Sequence, residues 1–371
     1  MKKIALCLII MCSLIFTGCF NYKDINKLVF SIALVVDINE YNNPVLYIEG
    51  FRPMEGTTEG QKVIFKGEGK TIFEALRSIN LGSSYKLNLT QNKIIAFTQK
   101  AAEYGIGNFI DFFDRDQELL VRPYVCVLIG DPEELLSMKS SEGEYTGIYV
   151  DRLLDNIASS SRGIFRSIND YNNQRLIGDK VNVVSMIEVK KDVGEFKKIF
   201  VNGGAIIKND KMIGSISIEE GQGFNFLMNN VAFGTLEVTN PEYKDAFVTL
   251  EILNSKTNTN IKQEDNKVKL IKDIKVNTAL GCVQKGLIIN DKNLKQLKEN
   301  AESNIRKACY QIFDKYKEKG LDIFDIQEEY LRKFRKEPEE DIIKDIELLV
   351  NVEVSIESGN DTIDFINVNG K

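Results

Sequence analysis

Apolar positions along this chain follow three rhythms, and each predicts a different kind of element. Short, nearly unbroken apolar runs at residues 28–37, 45–52, 62–68, 94–98 and 124–129 predict buried strands. Between them, amphipathic stretches predict helices. One covers 71–81, with Thr71 and Glu74 spaced as a capping box, and one covers 101–113, interrupted by Gly105 and Gly107. Another starts at Asp131-Pro132, and two more cover 147–160 and 167–176. After Gly178 the rhythm changes to alternation. Strands are expected at 181–189 and 196–208, then a turn at Asn209-Asp210, a strand at 212–218 and a helix at 219–230. Strands at 246–253 and 267–280 follow; the latter turns Val268, Leu270, Ile274, Val276 and Leu280 inward and Lys267, Lys269 and Lys275 outward. That pattern predicts an antiparallel sheet with one wet face. The third rhythm is a step of three and four through Leu294, Leu297, Ala301, Ile305, Ala308, Ile312 and Tyr316. It predicts a helix over 292–319, about 42 Å long, capped by Asn290 or Asp291 and stopped at Gly320. Helices over 325–336 and after Pro338 follow, then a regular strand at 349–357 that is expected inside the sheet. The fold class is therefore α+β: a multi-domain, mixed α/β ectodomain whose C-terminal antiparallel sheet is packed by a long helix.

The first eighteen residues have a different character. Lys2 and Lys3 precede thirteen apolar residues, 4–16, which are too few to span a bilayer as a helix. Thr17-Gly18-Cys19 follows and resembles the bacterial lipobox. The expectation is cleavage between Gly18 and Cys19, with Cys19 carrying an S-diacylglycerol and an N-acyl chain. An ordinary signal peptide with a Cys at the cut is the plainer alternative. Cleavage would leave 353 residues with net charge −8. Such an acidic chain gains nothing from anionic headgroups, so the acyl chains must hold it to the membrane. The expected organisation is a signal peptide at 1–18, a tether at 19–27, an N-terminal α/β domain at 28–139, a smaller middle domain at 140–201 and a C-terminal domain at 202–371. A tether of roughly eight residues reaches at most about 30 Å.

Composition narrows the chemistry. The 371 residues include no His and no Trp, which excludes His-based triads, His metal centres and His pH switches. The pI near 5.2 argues against nucleic acid as a partner. Cys126 and Cys309 sit in apolar patterns that predict burial, and no CxxC spacing exists; a Cys282 pairing stays open. The stretch KGEGKT at 66–71 has Ile64 where a phosphate-binding loop needs its first Gly. It reads instead as a strand feeding a capped helix. Carboxylate pairs (Asp114 with Asp116, Glu219 with Glu220, Glu328 with Glu329) are expected by chance among 54 acids. No catalytic, cofactor-binding or metal-binding residue is assigned.

The order of motifs resembles the Ger(x)C family, the lipoprotein C-subunit of bacterial spore nutrient-germinant receptors. The resemblance begins at Gly18-Cys19-Phe20-Asn21-Tyr22-Lys23-Asp24-Ile25-Asn26 and a strand ending at Asp37. It continues through Gly67-Glu68-Gly69-Lys70-Thr71, Phe73-Glu74-Ala75-Leu76, and residues 111–116 leading to Arg122-Pro123. In the second half it rests on Gly203-Gly204-Ala205-Ile206, Ser255-Lys256-Thr257, Asp322-Ile323-Phe324 and the final alternating strand. Phe20-Asn21 replaces the family's usual Trp-Asp, and Asn88-Leu89-Thr90 stands where many members have an aromatic-Gly-His run. The resemblance implies a non-enzymatic protein without cofactor or direct small-molecule ligand. It also implies lipid anchoring on the outer face of the cell membrane, which is the inner membrane in the spore, and assembly with integral-membrane A- and B-type subunits. The alternative reading is a small-ligand-binding lipoprotein serving a transporter, for which two lobes of repeated βαβ units would be expected; a membrane-anchored hydrolase is third.

Overall fold

The computed structural model describes residues 25–357, apart from 55, 57–59, 139–144, 158, 195, 265–266 and 339–341. A short turn at Ile25–Lys27 leads into β1 (Leu28–Ile38), which pairs antiparallel with β2 (Pro44–Pro53), itself antiparallel to β3 (Gly60–Glu68). Helix α1 (Ile72–Gly82) folds back on that hairpin. Thr71 Oγ1 accepts from the Glu74 amide at 3.2 Å, and the Glu74 carboxylate accepts from the Lys70 amide at 2.7 Å, so the capping box forms one residue out of its usual register. β4 (Lys86–Asn88) and β5 (Ile94–Thr98) lie parallel to β1. Helices α2 (Gln99–Gly105) and α3 (Gly107–Arg115) cross to β6 (Tyr124–Ile129). Helices α4 (Pro132–Ser137), α5 (Thr146–Ile157) and α6 (Ile168–Gln174) cross to β7 (Val181–Lys191), and the strands β8 (Lys197–Lys208) and β9 (Lys211–Ile216) follow as a meander.

Helices cover both faces of this sheet, which explains the unbroken apolar runs: every residue of β5 is buried. Alternate residues serve opposite layers. Ile95, Phe97, Val125 and Val127 pack against α1, α2, α3 and α6, whereas Ile94, Ala96, Cys126 and Leu128 pack against α4 and α5. One fully buried carboxylate fixes the second layer. Glu49 on β2 accepts from the Thr146 and Gly147 amides at 2.8 and 2.7 Å, at the start of α5, and pairs with Lys62 at 2.7 Å. A negative charge at a helix N-terminus answers both the free amides and the helix dipole.

The second sheet follows α7 (Gly221–Leu227) and contains β10 (Gly234–Thr239), β11 (Phe247–Glu264) and β12 (Lys267–Val283). The chain then runs through α8 (Asp291–Glu318), α9 (Ile326–Phe334) and α10 (Ile342–Asp345) to β13 (Glu347–Glu357). The order is β10-β11-β12-β13. The first three strands are antiparallel, but the helices carry the chain back so that β13 runs parallel to β12 at the edge, not inside the sheet as the alternation suggested. The long helix matches its expected span, with Asn290 accepting from the Asn293 amide at 2.9 Å and Leu297, Ala301, Ile305, Ile312 and Tyr316 buried against the sheet.

The arrangement also differs from the expected middle domain at 140–201. That segment supplies α5, α6 and β7 to the first sheet, and β7 pairs with β6 through Cys126 opposite Ser185. The boundary at 201/202 falls inside β8. Val183, Ile206 and Ile216 of the first sheet share one core with Leu236, Leu250, Ile274 and Ile305 of the second unit. Helix α7 is wedged between them. A Cβ at Gly221 would lie 2.1 Å from the Arg162 carbonyl oxygen, and one at Gly223 would lie 2.4 Å from that of Ala308. Asn225 Nδ2 donates to the carbonyls of Ser161 at 3.0 Å and Gly163 at 2.7 Å. We expect Gly223→Ala to force α7 and α8 apart and cost about 1–3 kcal/mol of stability. Urea unfolding measures this, and an unchanged midpoint would contradict the close packing.

Candidate functional site

Gly18 and Cys19, the expected cleavage and lipidation site, lie outside the described residues. The other sequence candidates are placed in structural roles. Cys126 and Cys309 are buried and Cys282 is exposed, all three as free thiols. Burial pushes the Cys126 and Cys309 thiols up to about 12, the reverse of what a nucleophilic thiolate needs. In KGEGKT the glycines serve packing: a Cβ at Gly67 would lie 2.3 Å from the Ala75 carbonyl oxygen, and one at Gly69 would lie 2.5 Å from the Ala75 amide nitrogen. They let α1 sit directly on β3. Two of the three carboxylate pairs part company. Asp114 accepts from Asn172 while Asp116 accepts from the Glu118 amide. Glu220 pairs with Lys315 while Glu219 faces solvent, whereas Glu328 and Glu329 share Arg332. Among the described residues, no group of three or more Cys, Asp or Glu is placed to hold a metal ion.

The structure instead gathers charge where the two sheets meet. A cavity of about 810 Å³ opens there, between the start of β6 and α7. On its wall Lys93 pairs with Asp151 at 3.4 Å, and the Tyr124 hydroxyl donates to Asp155 at 2.7 Å. Desolvation raises the Asp151 carboxyl despite Lys93, and it raises the Tyr124 hydroxyl together with the Asp155 hydrogen bond. Arg166 lines the same cavity. Burial lowers its pKa, opposed by the nearby carboxylates of Asp325, Asp170 and Glu328.

Behind Arg166 lies the loop between α8 and α9. Asp322 is buried and accepts from the amides of Phe324, Ile326 and Gln327 at 3.1, 3.1 and 2.8 Å. Those bonds lower its pKa, but desolvation outweighs them and the net direction is up. Asp325 adopts a left-handed backbone, φ 58°, and accepts from Gln174 Nε2 on α6, which ties the two units together. Burial pushes its carboxyl up to about 7. Lys272 completes the hub. It is 3% exposed, donates to the Leu227 carbonyl at 2.8 Å and to Thr259 Oγ1 at 2.9 Å, and is pushed down to about 8 by burial. In the sequence Lys272 occupies an inward position of an alternating strand, a visible anomaly. Nothing in the sequence marked Arg166, which gains its role from distant carboxylates.

This constellation brings cations, anions and a cleft together, with the Tyr124 hydroxyl held against the Asp155 carboxylate. The motifs that suggested a family turn out to build it. Phe324 packs beside Phe224 and Phe313 (ring centroids 6.4 and 5.4 Å), and Thr257 Oγ1 donates to the Phe226 carbonyl at 2.7 Å. Gly203, φ +78°, allows the Ile216 carbonyl within 2.0 Å of where a Cβ would stand.

Comparison with known proteins agrees. The model described as the spore germination protein N-terminal domain matches residues 21–189. The model described as spore germination B3/GerAC like, C-terminal, matches residues 202–359. The chain belongs to the Ger(x)C family of spore germination proteins. It is 23% identical over 309 residues to spore germination protein GerQC of Bacillus cereus, covering 81% of this chain and 84% of that one. It is 24% identical over 327 residues to spore germination protein B3 of Bacillus subtilis (strain 168), covering 80% of each. Its mixed α/β fold is shared with the crystal structure of the GerBC protein, with TM-score 0.59 and 17% identity over 88% of this chain and 97% of that one.

The raised pKa of Asp325 has a measurable consequence. Between about pH 4, where an unfolded Asp titrates, and about pH 7, the native state holds a proton that the unfolded state has released. Stability from this group therefore falls as pH rises through that window. Asp325→Asn keeps the left-handed turn without the titration. We expect it to exceed the native chain in stability by about 1 kcal/mol or more at pH 8, with the gain vanishing near pH 4. Parallel stability–pH curves for the two proteins would refute this.

Proposed function

We propose that this chain is a lipid-anchored, non-enzymatic subunit of a spore nutrient-germinant receptor, acting by assembly with integral-membrane A- and B-type subunits. In this reading it sits on the outer face of the cell membrane, which becomes the inner membrane of the spore. The observation that carries the reading is the ordered match of both halves to the spore germination family models. The names of the relatives, spore germination proteins GerQC and B3, point the same way. Thr17-Gly18-Cys19 supplies the anchor, and the charged cavity where the two units meet suits a contact protein. A transporter-serving, two-lobed binder would need repeated βαβ units in each lobe, whereas the second sheet is built on a long β11–β12 hairpin.

Deleting the gene in a strain with no redundant receptor should abolish the nutrient response and leave germination by a non-nutrient trigger intact. An unchanged nutrient response would reject the proposal. Cys19→Ala should move the protein out of the membrane fraction, and continued retention would reject lipidation.

A further inference from the structure

The parallel strands β1, β4, β5, β6 and β7 all begin at one edge of the first sheet. Every segment feeding them must therefore converge on that edge, and β2, antiparallel to β1, ends there too. These segments leave large aliphatic side chains in solvent. Ile25 precedes β1, Met54 follows β2, Leu81 ends α1 just before β4, Leu120 and Val121 precede β6, and Leu176 precedes β7. Leu81 is 91% and Leu176 71% exposed. Interspersed with them are the exposed bases Lys27, Lys86, Arg122 and Lys180. Of the acids at this edge, Asp179 pairs with Lys208, while the half-buried Asp116 and Glu118 accept from the Glu118 and Leu89 amides. The opposite edge also exposes apolar side chains, Tyr41, Val193 and Phe196, but sets them among the exposed acids Glu40, Asp131 and Glu133 alongside Lys100 and Lys191.

We infer that this edge is a membrane-docking surface, its aliphatic side chains entering the headgroup–acyl boundary of an anionic bilayer while its bases meet the headgroups. The inference rests on the lipid-anchored reading, because the anchor sets the distance. Five residues separate Cys19 from Ile25, so the edge lies within about 20 Å of the acylated residue. From β2 to β7 the aliphatics span four strand spacings, about 19 Å. They form a rim of separate Leu, Ile, Val and Met side chains among lysines. Protein interfaces instead favour aromatics and deplete lysine at their cores, whereas aliphatics flanked by Lys and Arg suit a lipid surface. The net charge of −8 expected for the mature chain hid this, because attraction to headgroups depends on which face is presented.

The test places the mature lipidated chain, carrying Cys282→Ser, in vesicles of phosphatidylcholine with phosphatidylglycerol and a headgroup-linked quencher. A fluorophore is attached through Leu81→Cys, Leu176→Cys or, at the opposite edge, Tyr41→Cys. We expect at least fivefold stronger quenching at Leu81 and Leu176 than at Tyr41, weakened by Lys86→Glu with Arg122→Glu. Equal quenching at both edges in an anchored chain overturns the docking surface alone. A chain recovered without lipid overturns the anchor, and this inference with it. Quenching that appears only when an integral-membrane subunit is reconstituted alongside assigns the edge to a protein partner and overturns the lipid surface.

Discussion

The two sheets hold together because one short helix comes within backbone contact of both units. Gly221 and Gly223 carry no Cβ, so α7 lies against the Arg162 carbonyl on one side and the Ala308 carbonyl on the other. The side chains that follow, Phe224, Asn225, Phe226 and Leu227, are all buried. Carbonyls at the end of this helix then receive Thr257 and Lys272 from the second sheet. Close-packed interiors do not tolerate half-measures: a wedge of this kind either fits both partners or separates them. A single apolar core running through both sheets follows from that fit.

Polar contacts at the same junction do a different job. Burying Lys272, Arg166, Asp322 and Asp325 carries a desolvation cost that their mutual attraction does not comfortably exceed. Apolar contact can be made in many registers, but Asp322 has three amides to satisfy and Asp325 must meet Gln174. These residues select one docking geometry out of the many that the apolar core alone would accept.

How much of this was legible depended on whether the cause was local. The strands Ile94–Thr98 and Tyr124–Ile129 match their expected bounds residue for residue, because burial on both faces leaves unbroken apolar runs. The long strand β11 was half visible. A bulge between Ile252 and Asn254 shifts the inward set from Val248, Leu250 and Ile252 to Thr257 and Ile261, so the alternation breaks while the strand continues. Short β10 fell below notice. The edge position of β13 depends on where three helices return the chain, which its own sequence cannot encode. At the junction, Lys272 was legible as a cation among inward apolar residues. Arg166 and Glu49 were not, since their partners lie far along the chain: Gly147, for one, is 98 positions from Glu49. The expectation at Thr17-Gly18-Cys19 is the converse case, resting on the resemblance of three adjacent residues alone.

The meander that closes the first sheet bears on inheritance. The two family models divide the sequence between residues 189 and 202, inside the β7–β8 hairpin. A recombination event at that point would take β8 and β9 away from β7 and bare the apolar face formed by Val183, Ile206 and Ile216. Although the family is described in two halves, a half exchanged between relatives would have to bring a β8 and β9 that fit the β7 it meets.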